Sequence, residues 1–263
     1  TISSPVTISK VEVWVTNKRA TYDQARNVVA FADLAEHDNI SNTAVVSPSG
    51  ALSIPYNNTN TLYNTLNQQF TGARDISTVN QALGGTFVNG TEYEEVESAR
   101  LLDASEYTVN TKLGYISLKT QLQADEVLAV AYNYTYQVGE FSTDNPSSAA
   151  SCLYVKLLKG ITMSPDMPFW DLMMKNIYSL GAYSVQKEKF KLNIMYQSDT
   201  TGTYVNYLPE GAIANQILLR VLNLDSYDSN NQPHPDGIYD FIEGVTVLAD
   251  NGKIIFPSVE PFG

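Results

Sequence analysis

A period of two, apolar against polar, recurs along the chain and restricts what it can fold into. In "KVEVWVT", Val11, Val13 and Val15 alternate with Glu12, Trp14 and Thr16. In "LAVAYNYTY", Leu128, Val130, Tyr132, Tyr134 and Tyr136 share one face, and in "KFKLNIMYQ", Phe190, Leu192, Ile194 and Tyr196 oppose Lys191, Asn193, Met195 and Gln197. Successive side chains of a strand point to opposite faces, so each run predicts a half-buried strand in a largely antiparallel sheet.

A second pattern operates at longer range. "TVNTKLGYISL" begins at Thr108, and "TVLADNGKIIF" begins at Thr246, 138 residues later. Both fit T-V-x-x-x-x-G-x-I-x-[LF]. A ligand loop has no reason to recur, whereas a building block does, and the "DNG" of the second copy is a strong turn signal because Asn and Gly tolerate positive φ. Both copies are therefore read as β-hairpins. The polar stretch "FSTDNPSSAAS" from Phe141 to Ser151 lies between them and is the best boundary signal. The expectation is an α+β chain of mainly antiparallel sheets with a few amphipathic helices, in two similar subdomains, 1–145 and 152–263.

Four helices are expected. "NTLYNTLNQQF" spaces Leu62, Leu66 and Phe70 four apart, with Asn60 or Thr61 as cap, and "DISTVNQALGG" starts at a capping Asp75 and stops at Gly84-Gly85. "PFWDLMMKNIYSLG" has Pro168 near its start and Gly181 as its stop, with Trp170, Met173, Met174, Ile177 and Tyr178 on one side. "ANQILLRVLNLD" supplies Ile217, Leu218, Val221 and Leu222.

With 263 residues and 43% hydrophobic content, the chain can bury a substantial core. Sixteen basic against 28 acidic residues give a net charge of −12, which repels phosphate backbones and anionic headgroups and disfavours nucleic-acid binding. Cys152 is the single cysteine, so an internal disulfide is excluded; its strand parity with Tyr154 and Lys156 predicts a half-exposed structural thiol. The opening "TISSPVTISKVEVWV" lacks a charged n-region followed by an apolar run and is not read as a signal peptide. Nor does any stretch approach the roughly 20 apolar residues of a membrane helix. The abrupt start and the ending "FPSVEPFG" read as an interior piece of something longer.

Catalytic patterns are scarce. The sequence has no G-x-S-x-G, H-E-x-x-H, Walker loop, G-x-G-x-x-G or C-x-x-C, and its two histidines, His37 and His234, have no metal-spaced partner. The cluster Glu92, Glu94, Glu95 and Glu97 is read as a solvated edge rather than a pair of working carboxylates. "NLDSYDSNNQPHPDGIYDF" brings together Asp225, Asp228, Asn230, Asn231, Asp236 and Asp240, hard oxygens of the kind calcium prefers. No glycine stands where an EF-hand must bend, so ordinary turns are the simpler reading, and calcium is the sole cofactor candidate. Trp170, Met173 and Tyr178 are candidate contact residues, because Met and aromatics suit adaptable interfaces.

Several long blocks resemble a known family: "KVEVWVTNKRATYDQARNVVAFADLAE", "SARLLDASEYTVNTKLGYISLKTQLQADEVLAVAYNYTYQVGEFSTD", "FWDLMMKNIYSLGAYSVQKEKFKLNIMY" and "PDGIYDFIEGVTVLADNGKIIFPSVEPFG". They look like the SprA/Sov family, the very large cell-surface proteins of Bacteroidetes gliding motility and type IX secretion. The resemblance runs from Val11 to Gly263, with no firm pattern between Asn39 and Asn89. It implies a soluble insertion in a giant outer-membrane β-barrel translocon. The implied partners are the rest of that chain, a PorV-type shuttle protein, a periplasmic plug and secreted cargo, with membrane contact only through the parent barrel. Barrels place short turns in the periplasm and long loops outside, so the extracellular side is expected, with the periplasmic rim as alternative. The resemblance brings no catalytic residues and no cofactor.

Three functions follow as expectations. The first is a non-enzymatic domain bracing or capping a secretion pore. The second is a cell-surface carbohydrate-binding or adhesin module, given many Tyr and Asn and the tryptophans Trp14 and Trp170. The third is a hydrolase using Glu94 with Asp125 or Asp240.

Overall fold

The computed structural model describes residues 6–50, 52–144, 150–230 and 232–262. The chain forms two compact units, Thr1–Met173 and Met174–Gly263. The architecture is α+β with mainly antiparallel sheets, as the alternation predicts. Among the described residues, no helix is long and apolar enough to cross a membrane.

The first unit contains β1 (Lys10–Val15), β2 (Arg26–Phe31), α1 (Leu62–Gln69), α2 (Val79–Leu83), β3 (Tyr93–Leu101), β4 (Tyr107–Asn110), β5 (Tyr115–Leu118), β6 (Leu128–Asn133), β7 (Gln137–Val138) and β8 (Leu153–Lys159). Strand pairing closes on itself: β1 pairs β3, β3 pairs β2, β2 pairs β8, β8 pairs β6, and β6 returns to β1. The result is a five-stranded barrel, with β7 extending the edge of β6 and β2–β8 as its one parallel pair.

Closure explains the burial. Trp14, Val28, Ala30, Val96, Ala129, Ala131, Leu153, Val155 and Leu157 fill the interior together with Phe169. Trp14 lies opposite Ala129 in the register, a large ring accommodated by a small neighbour. The outer surface is covered too. Val29, Phe31, Tyr93 and Tyr154 pack with Leu62, Leu66, Val79 and Leu83 of the helices. Val13, Val15 and Val130 pack with Tyr107, Ile116 and Leu118 of the β4–β5 hairpin. The expectation of half-buried strands is thus corrected: Trp14, on the predicted polar face of β1, points into the barrel, and Val13 and Val15 lie under the hairpin. The face expected to run to Tyr136 ends at Asn133, where the chain turns with Tyr134 N donating to Tyr136 O at 3.2 Å.

Two helices form where they are expected, but the expected capping is corrected. Thr61 and Thr78 hold the cap positions without a side-chain cap bond, and α2 begins four residues after Asp75, whose carboxylate builds the preceding turn instead. Leu62 N donates to Asn60 Oδ1 at 3.0 Å before α1, and Ser77 N donates to Asp75 Oδ1 at 2.9 Å before α2, which stops ahead of Gly85 at φ +87°. The expected boundary does not survive. Of that linker, 145–149 lie outside the described residues, and β8 beyond it is an integral barrel stave between β2 and β6. The division falls at Met173/Met174, because nonlocal pairing outweighs local polarity. The acidic cluster is corrected as well: Glu94, Glu95 and Glu97 sit on β3, with Glu94 buried and Glu97 exposed, and Glu92 just before the strand accepts from Val88 N at 2.7 Å.

The second unit contains β9 (Ile177–Ser179), β10 (Tyr196–Gln197), β11 (Tyr204–Val205), α3 (Leu218–Val221), β12 (Val247–Leu248) and β13 (Lys253–Ile255). β12, β13 and β9 form one antiparallel sheet, β10 and β11 another. Leu219, Leu224, Tyr239, Ile254 and Phe256 make the core, and the Phe190 ring lies 5.4 Å from both Tyr239 and Phe241.

The helix expected over "PFWDLMMKNIYSLG" is absent. A single 3₁₀ turn spans Trp170–Leu172, and Ile177–Ser179 pair with β13 instead. Phe169 is drawn into the first unit's barrel while the ladder to β13 recruits the downstream residues, so tertiary contacts override the helical spacing. α3 is only four residues long; Asn223, at φ 56°, ends it in the left-handed conformation that Asn tolerates. Phe190, Leu192 and Ile194 are half-buried and their neighbours exposed, as the alternation predicts, yet a strand forms only at Tyr196–Gln197.

Both hairpins form, in one register. Val109 faces Ile116, and Val247 faces Ile254. Each turn ends in a positive-φ glycine, Gly114 at +71° and Gly252 at +55°. The likeness of the two units is carried by these hairpins; around them one unit closes a barrel and the other builds a three-stranded sheet.

Candidate functional site

A cleft of about 550 Å³ opens on the first unit, lined by Tyr56, Asn57, Asn58, Tyr63, Tyr136, Gln137, Glu140 and Asp144. Its walls are set by the turn between β6 and β7 and by the segment before α1. That segment is bound to β7 through Asn57: its N donates to Gln137 O (2.9 Å), Gly139 N donates to its Oδ1 (2.7 Å), and its Nδ2 donates to Gly139 O (3.3 Å). Tyr134 OH donates to Pro55 O from the other side of the turn. Gly139 sits at φ +73°, and a Cβ there would come within 3.2 Å of Ala131 Cβ and Val130 O, so the close approach needs glycine.

Tyrosine rings form a row along this turn. Tyr56 and Tyr136 lie 5.3 Å apart at 42°, Tyr136 and Tyr134 6.0 Å apart edge to face, and Tyr134 and Tyr132 6.4 Å apart and stacked. Tyr136 is 39% exposed.

The floor is a saturated ion pair. Glu140 Oε1 accepts from Tyr63 OH (2.7 Å) and Arg74 Nη2 (2.6 Å); Oε2 accepts from Arg74 Nη1 (2.5 Å) and Tyr154 N (2.8 Å). A carboxylate with every acceptor direction in use has none left to take a proton from a substrate. Burial, reinforced by the Glu140 charge, pushes the Tyr63 phenol up to about 12. The cleft is therefore equipped to stack and hydrogen-bond a ligand. A smaller hollow of about 300 Å³ is lined by Lys18, Arg19, Arg100, Glu106 and Glu126, and Arg19 and Arg100 pair with Glu106 at 3.0 and 2.6 Å.

The candidate calcium loop places its oxygens on backbone amides. Asp225 is buried and accepts from Asp236 N (2.9 Å) and Gly237 N (3.1 Å), and Asp240 accepts from Ser226 N (2.6 Å) and Tyr227 N (3.2 Å). Asp228 accepts from Asn230 N (2.8 Å) and Gln232 N (2.9 Å), and Asp236 accepts from Ile238 N (2.9 Å). Asn231 lies outside the described residues. These are turn-building bonds. Among the described residues, no group of three or more His, Cys, Asp or Glu is arranged to hold a metal ion.

The other candidates disperse. Trp170 and Met173 belong to the first unit and Tyr178 to the second, so they do not share one helix face. Glu94 accepts from Ile161 N at 2.8 Å, and Asp125 pairs with Lys18 at 2.5 Å, while Asp240 belongs to the other unit. Cys152, expected half-exposed, is fully buried, and desolvation pushes its thiol up to about 12. His37 contacts Asp38 at 2.6 Å, and His234 is exposed. Sequence reasoning missed the cleft; its traces were "YNN" at Tyr56 and "YNYTYQ" at Tyr132, two tyrosine-asparagine clusters about 75 residues apart. Compared with protein-family models and with curated proteins, the chain matches none.

Proposed function

We propose that this chain is a non-enzymatic structural and interaction domain of a bacterial outer-membrane protein-secretion translocon of the type IX class. It braces or caps the pore and offers surfaces to cargo or to a shuttle protein on the extracellular side. The sequence blocks that resemble the SprA/Sov family support the setting. The observation that carries the non-enzymatic reading is the use of the buried ionisable groups. Glu140 is held by Arg74, Lys156 by Glu36 at 2.5 Å, and Asp225 by backbone amides, each consumed in holding segments together. In-frame deletion of the segment from the parent protein should stop cargo export; a deletion strain that secretes normally rejects the reading.

A second reading, a cell-surface carbohydrate-binding module, is favoured by one specific observation, the tyrosine-lined cleft with amide and carboxylate groups at its rim.

A further inference from the structure

We propose that the cleft between segments 55–58 and 134–140 is a binding site for a neutral oligosaccharide, with Tyr136 and Tyr56 as the stacking platform. This rests on the carbohydrate-binding reading and assigns it a place, a ligand class and residues.

The rings come first. Tyr136 is among the more exposed aromatics of the first unit, yet it is not loose: Tyr56 packs against it at 5.3 Å, Tyr134 meets it edge-on at 6.0 Å, and Tyr134 is itself tied to Pro55 O. Two rings tilted by 42° and held from behind make a rigid apolar ledge. The C–H face of a pyranose fits such a ledge, and a platform fixed before binding loses little entropy on binding.

The polar groups at the rim decide the ligand. Asp144 spends only Oδ2, on Gln137 Nε2 and on Phe141 N at 2.9 Å, and among the described residues Oδ1 is left for a ligand donor. Gln137 spends Nε2 on Asp144 and on Gly139 O at 2.9 Å, which leaves its Oε1. The exposed Asn58 amide supplies both a donor and an acceptor. The lining is thus rich in unspent acceptors. Sugar hydroxyls donate to such groups. A proline-rich peptide, the other ligand that stacks on tyrosine rows, presents carbonyls and few N–H groups and leaves these acceptors unmet. Charge narrows the class further. Asp144 carries a carboxylate at the cleft, the Glu140 charge beneath it is balanced by Arg74, and the chain bears a net charge of −12, so sulfated and uronic glycans are repelled. A volume of about 550 Å³ falls within the range of small-ligand pockets, so a short stretch of a longer chain is held there.

The test is native affinity electrophoresis of the 263-residue chain through gels containing soluble β-glucan, xyloglucan, galactomannan or α-glucan, beside an array of neutral and acidic glycans and one of proline-rich peptides. The expected result is saturable retardation by at least one neutral polysaccharide. Tyr136→Ala weakens it about tenfold, Tyr56→Ala weakens it less, and Tyr136→Phe retains it. Tyr204→Ala, at an exposed ring of the second unit, has no effect, and every variant keeps a cooperative thermal transition above the temperature of the gel. Retardation that Tyr136→Ala leaves unchanged overturns the assignment to this cleft while the carbohydrate reading stands. Absence of any glycan binding overturns both. Preference for acidic glycans, or peptide binding that Tyr136→Ala abolishes, overturns the ligand class.

Discussion

Arg74 lays its guanidinium against both carboxylate oxygens of Glu140, at 2.5 and 2.6 Å, and holds its carbon 3.6 Å above the ring centroid of Tyr154. The pair ties together distant segments: Tyr63 reaches it from α1, Tyr154 from β8, and Arg74 also donates to Cys152 O at 2.9 Å. Removing one partner strands a charge, so Arg74→Met should cost about 3–5 kcal/mol. The double variant Arg74→Met/Glu140→Leu should cost less than the two single losses together, since neither charge is then abandoned. Urea unfolding of the cycle measures this, and strict additivity would mean the pair is not coupled.

Cys152 should be silent to thiol reagents in the native state. Desolvation, the leading cause of its high pKa of about 12, keeps thiolate scarce at neutral pH, and burial denies access. Labelling with a chromogenic disulfide should track unfolding across a denaturant series. Rapid modification of the folded protein contradicts this.

Glu94 predicts a pH dependence. Burial raises its pKa above the ordinary 4.5, against smaller lowering by the Ile161 amide and Lys159. A raised folded-state pKa means the native state holds the proton more tightly. The resulting stabilisation is complete below the unfolded value and is lost as pH rises through the folded value. Relative to wild type, Glu94→Gln should gain stability as the solution goes from acid to neutral, because the amide needs no deprotonation. Unfolding midpoints over a pH series measure the difference; a constant gap would exclude it.

The two hairpins, alike in register, should differ in tolerance. Gly114→Ala meets the left-handed backbone at φ +71°, a cost of about 1–2 kcal/mol. Gly252→Ala adds to its strained φ of +55° an overlap of the new Cβ with the Ala182 carbonyl, so its loss should exceed the roughly 1–3 kcal/mol of backbone strain alone. Calorimetry of both variants decides, and equal losses would count against the contact.

Millimolar calcium should leave the thermal midpoint unmoved, since Asp225 and Asp240 already serve backbone amides. A ligand that binds only the native state must raise stability with its concentration, so a calcium-dependent rise would revive the loop as a metal site. Asp225→Ala should cost about 1–3 kcal/mol in either buffer, from the amides of Asp236 and Gly237 left unmet.

Local features were legible in the sequence and nonlocal ones were not. The turn glycines and the Val–Ile spacing of the hairpins act over a few residues, and so does the four-residue leucine spacing of α1. The alternation was visible, but not which face would be covered: Trp14 reads as an outlier on a polar face until the ring of strands closes around it. The parallel pairing of β2 with β8 joins positions about 125 residues apart, with no local signature. The same holds for the helix that failed between Pro168 and Gly181, where Phe169 and Ile177 answer to partners elsewhere in the chain. The cleft escaped notice because Tyr56 and Tyr136 meet only through a turn that Asn57 fastens to Gly139.

Joining the first strand to the sixth has one more effect. Every stave of the ring has a neighbour on each flank, the seam between β1 and β3 being the shortest at Trp14–Leu101 and Val15–Arg100, so much of the backbone that an open sheet would leave at its edges is already paired. In the first unit the ring thus leaves less strand edge open to pairing with a foreign extended chain than the open three-stranded sheet of the second unit does.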